Sequence, residues 1–190
     1  HIPIQTVRTN PSYRHSLADD MGADAPYMEY ITPLIKFTAE MFHSKKGVPP
    51  IFIMEKDGDI QPIKVPPSLI DSEEGKEELS LMIANAVATF QPDSHCFVAE
   101  AWMYKMEDFD NKEEAMKAYS DFKKGIPCDK IIKVEAVTFT LTKINFDKSQ
   151  ERWMGSMPFS RGSDNSISSF DPVKWIKEGG SNKFEAKLFI

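Results

Sequence analysis

Two glutamates stand near the middle of the two most strand-like segments of this chain. His95 to Tyr104 and Ile131 to Leu141 are rich in β-branched and aromatic residues, and Glu100 and Glu135 interrupt them. A carboxylate inside a strand needs a partner, a route to water or a task. If the two strands are neighbours, the carboxylates share a cleft and shift each other's pKa, which is how a general acid and a general base are separated. His95, at the entry of the first strand, would complete a catalytic set of Glu100, Glu135 and His95. The simpler reading makes each glutamate a residue of a half-exposed sheet, or the partner of a lysine such as Lys133.

Other residue types that bind or react are sparse. Arg8, Arg14, Arg152 and Arg161 are the only arginines, the residue best suited to bidentate anion recognition. Arg8, Tyr13 and Arg14 lie where they could grip a neighbouring subunit or an acidic partner. Arg161, with Gly162 and Ser163, opens a polar loop able to cradle an anion as backbone nests do, although it lacks the phosphate-loop pattern. Metal binding is not expected, because the histidines are far apart and Asp108 to Asn111 lacks the glycine and terminal glutamate of a calcium loop. Cys96 and Cys128 have no CxxC spacing and read as structural thiols in a reducing compartment. No dinucleotide or nucleophile-elbow pattern is present, so no cofactor is expected.

The elements that must position these residues follow from periodicity and punctuation. Residues 1–24 hold Pro3, Pro11 and Gly22 without a sustained period, and read as an extended arm. Asp24 then caps a helix with Pro26 just inside; its apolar pattern runs through Tyr30, Leu34, Phe37 and Met41, with Pro33 expected to kink or restart it. Asp57-Gly58 between Ile51–Lys56 and Ile60–Val65 is the clearest hairpin signal, and Pro62 makes the second strand an edge strand. Asp71 and Glu74 have capping-box spacing ahead of Leu79, Met82, Ile83, Ala86, Val87 and Phe90, one amphipathic stripe. Asp110 caps a further helix through Ala115, Tyr119 and Phe122. After the Glu135 strand, Asp147 to Gln150 turns into a partner strand over Arg152 to Phe159. A short helix is expected behind Asp171 and Pro172, and a last strand over 183–190.

This order gives an α+β fold, a single domain over 25–190 with a mainly antiparallel sheet and amphipathic helices packed on one face. The order is profilin-like by analogy only, which carries no function. At 190 residues and 41% apolar content the chain can bury one ordinary core. Its net charge of −6 argues against general nucleic-acid or anionic-membrane binding. No apolar run approaches a membrane span, so a soluble protein of the cytoplasm, or of a particle assembled inside a cell, is expected. His1 in first position, with no initiator methionine, is consistent with trimming, processing or a chosen boundary. With catalytic motifs missing, the functional expectation is a non-catalytic interaction or assembly domain whose arm and last strand engage a protein partner or another copy. The alternative is a small-molecule hydrolase or ligand sensor using Glu100 and Glu135 in a pocket.

Overall fold

The computed structural model describes residues 21–106 and 109–178, which form three α-helices and seven strands. The expected arm up to residue 20 and the expected strand over 183–190 lie outside the described residues. Met21 is buried, and Gly22–Asp24 make a 3-10 turn, so the last residues assigned to the arm belong to the folded body.

Helix α1 spans Ala25–Phe42 and runs through Pro33 without interruption. Strands β1 (Ile51–Lys56) and β2 (Asp59–Lys64) form the expected hairpin, with Asp57 and Gly58 at φ 50° and 87°. Positive φ at both central residues is what a two-residue hairpin turn requires, and Gly58 supplies it without a Cβ. Helix α2 spans Glu73–Phe90. Its N-cap is Ser72, whose hydroxyl accepts the Gly75 N–H at 3.0 Å, rather than the expected Asp71. β3 (Ser94–Lys105) follows, then α3 (Lys112–Lys123), capped by Asn111 accepting the Glu114 N–H at 2.8 Å instead of by Asp110. β4 (Ile132–Ile144) and β5 (Gln150–Arg161) form the second long hairpin, and β6 (Ile167–Phe170) and β7 (Lys174–Lys177) close the described chain.

The segment after Asp171 is a strand and not a helix. Asp171 donates its N–H to the Pro158 carbonyl at 2.7 Å, and β7 then pairs with β5 in the register Trp175 opposite Gly155. A Cβ at Gly155 would fall 2.6 Å from the Trp175 ring, so the glycine makes room for the indole. Trp175 Nε1 donates to Thr32 Oγ1 at 2.9 Å and ties β7 to α1. Together these contacts override a capping pattern worth about 1 kcal/mol.

All strand pairs are antiparallel, in the order β2-β1-β3-β4-β5-β6, with β7 sharing the β6 side of β5. One helix reaches both ends of this sheet: α1 packs Met28, Ile31, Ile35 and Ala39 into a core with Ile51, Ile53, Val98, Phe139, Leu141 and Met157. The sheet therefore curls around α1 as a half-barrel. The α+β class and the antiparallel sheet are as expected, and the arrangement of helices is refined. Phe52 and Met54 alternate with Ile51 and Ile53, so they emerge on the reverse face, where Leu79 and the partly buried Ile83, Val87 and Phe90 of α2 cover them.

The edge strand β2 is blunted. A two-residue turn makes Lys56 and Asp59 the first bonded pair, and alternation then turns the backbone of Ile60, Pro62 and Lys64 outward. The Val65 N–H bonded to the Pro50 carbonyl at 3.0 Å keeps that phase. Pro62 thus removes a donor from the free edge and discourages strand addition there.

Candidate functional site

The two glutamates singled out in the sequence lie on one face of the sheet. Glu100 is opposite Val137 and Trp102 is opposite Glu135, so the carboxylates are diagonal neighbours on the face that α1 partly covers, about 7–8 Å apart at the backbone. Each has a partner. Glu100 accepts the backbone N–H of Val48, in the segment leaving α1. Glu135 accepts from Arg161 Nε at 2.6 Å, and both side chains are mostly shielded from water. Lys133 lies over the exposed Trp102 ring, 4.8 Å from its centre.

His95 is on the opposite face, because it neighbours the inward Cys96 and alternates with it. Its ring packs 5.4 Å from that of Phe52, and burial, with the Arg152 charge, holds the imidazole below its usual pKa. The trio therefore does not converge. Arg161 also donates to the Asn165 carbonyl at 2.9 Å, and the loop it opens is a closed turn between β5 and β6. Ser163 is exposed in that turn, whose remaining carboxylate, Asp164, accepts from the Ser166 N–H and hydroxyl and is pulled below its usual range by them. Arg8, Tyr13 and Arg14 lie outside the described residues. Among the described residues no group of three or more His, Cys, Asp or Glu is placed to hold a metal, and no helix is long and apolar enough to cross a membrane.

The feature that sequence reasoning misplaced is on α1. The apolar pattern that marks this helix in the sequence runs through Tyr30, Leu34, Phe37 and Met41, yet Tyr30, Phe37 and Met41 are 40%, 59% and 57% exposed. The buried face is a second stripe, Met28, Ile31, Ile35 and Ala39, at the same kind of spacing. A helix apolar on both sides offers periodicity no means of choosing which side faces in. Lys36 belongs to the buried side: its ammonium pairs with Glu40 and touches Met157 Sδ at 3.2 Å, and burial pushes it below the lysine range while Glu40 pulls it back.

No family model, curated protein or solved structure matches the chain. Functional inference therefore rests on surfaces. At 100° per residue, Pro26, Tyr30, Pro33, Phe37 and Met41 fall within about 80° of one another, and no lysine or arginine is among them. The turn of the β1-β2 hairpin lies at one end of this strip, since a Cβ on Gly58 would be 3.7 Å from the Tyr30 hydroxyl. Lys64 Nζ lies 5.4 Å from the centre of the Phe42 ring, which packs on the inner side of the last helical turn.

Proposed function

We propose that this protein acts by contact, as a non-catalytic interaction or assembly domain, and that the outer face of α1 is its contact surface. The observation that carries this reading is the exposure of Tyr30, Phe37 and Met41 on one side of a helix whose other side is already buried. Scattered exposed apolar residues need no explanation, whereas a strip of them along one helix marks a surface that gains by being covered. The engagement of Glu100 by a backbone N–H and of Glu135 by Arg161 supports it, because each carboxylate already has a structural partner.

A second reading, a small-molecule hydrolase or ligand sensor, draws support from the shared face of Glu100, Trp102 and Glu135. An aromatic ring between two carboxylates is a reasonable floor for a polar ligand.

A photo-crosslinking amino acid placed at position 37 in cells that make the protein tests the first reading, with position 80 on the exposed side of α2 as control. Discrete adducts from position 37 and none from position 80 are expected. Equal labelling, or none from position 37, would overturn it.

A further inference from the structure

We infer that the outer face of α1 packs against the same face of a second copy of this chain, the two helices antiparallel about a two-fold axis; this rests on the contact reading above and names its partner. Two independent features of the strip lead there. The first is spacing. Tyr30, Phe37 and Met41 are exposed at separations of 7 and 4 residues, with Leu34, partly buried against the inner core, at their margin; this is a spacing by which one helix can present a seam to another helix. Strand addition nearby is opposed by Pro62 on the free edge of β2.

The second feature is the charge at the two ends of the strip. The hairpin turn beside Tyr30 carries exposed Asp57 and Asp59. At the far end, exposed Lys45 and Lys46 follow the last turn of the helix. The strip is therefore acidic where α1 begins and basic where it ends. A two-fold axis crossing between Leu34 and Phe37 brings each acidic end against the other copy's basic end, and every contact occurs twice. It also sets the helix dipoles antiparallel. A parallel pairing would oppose like charge to like at both ends. A basic partner helix would gain at one end and lose at the other, whereas a second copy matches both.

The affinity expected is modest. An 18-residue helix is about 27 Å long, and one face of it falls short of the ~800 Å² per partner of a standard interface. The hairpin turn and the Lys45-Lys46 loop must close over the ends, which makes association sensitive to salt.

Sedimentation velocity of the purified chain, from about 1 to about 500 μM, decides the matter, since weak dimers assemble in that range. The expected result is a monomer passing to a dimer as concentration rises, with a weaker transition in high salt. Phe37→Glu should stay monomeric throughout while keeping the parent melting temperature, as its site is exposed. The pair Asp57→Asn with Asp59→Lys, and separately the pair Lys45→Glu with Lys46→Glu, should each weaken the dimer roughly three- to tenfold. An equimolar mixture of those two variants should recover it. A single monomeric species at every concentration, a dimer that survives Phe37→Glu, or a mixture no tighter than its components would each overturn the proposal. Adducts from position 37 of a mass other than twice the chain, together with a monomer in sedimentation, would sink the dimer and leave the contact reading standing.

Discussion

Glu100 and Val48, 52 residues apart, are joined by a hydrogen bond from the Val48 backbone N–H to the Glu100 carboxylate. The same carboxylate fills the space beside Gly47, where a Cβ would fall 2.1 Å from Glu100 Oε1. The glutamate thus latches the exit of α1 onto β3.

A double-mutant cycle tests that latch. Gly47→Ala should cost about 1 kcal/mol because it displaces the carboxylate and leaves the Val48 N–H without its acceptor. In a Glu100→Ala background the same change should cost nothing measurable, since the obstructing group is gone. Equal costs in the two backgrounds, measured by urea denaturation, would show that the residues are not coupled.

The hairpin turn gives a second prediction. Gly58→Val places a β-branched residue at φ 87° and should destabilise the fold by roughly 1–3 kcal/mol. An unchanged urea midpoint would count against the turn geometry.

The stripe on α2 is unevenly buried, and truncation should reveal the gradient. Leu79, at 8% exposure, is the anchor, and Leu79→Ala should cost about 2–3 kcal/mol. Phe90 is only partly buried against Phe52 and Met54, so Phe90→Ala should cost about 1–2 kcal/mol, less than a fully buried ring. Met82 is exposed, and its replacement by alanine should stay within about 0.5 kcal/mol. A reversed order in chemical denaturation would mean that α2 packs differently from this description.

Glu55 supplies a pH signature. Its carboxylate is buried, which raises its pKa above the ordinary carboxylate value; the Gly58 N–H at 3.3 Å and the Ser94 hydroxyl at 3.4 Å offset this in part, while Asp93 and Asp57 add to it. The folded state therefore holds this proton at a pH where the unfolded chain has released it. Its contribution is full below the unfolded value near 4.5 and is lost as pH rises through the folded pKa. Glu55→Gln should raise the melting temperature at pH 7 by about 2–4 °C, the equivalent of ~1 kcal/mol in a chain of this length. The gain should vanish near pH 4. His95 acts in the opposite sense, losing stability as pH falls below its ordinary value, so the comparison must be made between parent and variant at each pH.

Strands β1 to β5, their two hairpins and the three helices were legible in the sequence because each rests on local chemistry. Asp57-Gly58 dictates its turn, and the stripe from Leu79 to Phe90 dictates its helix. What failed depended on distant residues. Asp171-Pro172 is a sound helix start until Gly155 offers a slot for Trp175, 20 residues away in sequence. The two glutamates could be placed in strands by their surroundings, yet that those strands pair, and that Arg161 and the Val48 N–H engage the carboxylates, only the folded sheet defines. His95 was lost as a partner because the alternation that puts Cys96 in the core puts its neighbour on the reverse face. On α1, sequence revealed that the helix was apolar and gave no means of telling its inner stripe from its outer one.

The order in which the chain leaves the ribosome gives α1 an awkward history. Its inner face is completed by Met157 and by Trp175, and its first turn by the ion pair of Asp24 with Lys177 at 2.8 Å. These partners are synthesised on the order of ten seconds after the helix at usual elongation rates. Until then β1, β3 and β4 supply only part of the sheet that encloses a helix apolar on both sides. The wrap of the sheet around α1 is complete only once β5 and β7 have emerged.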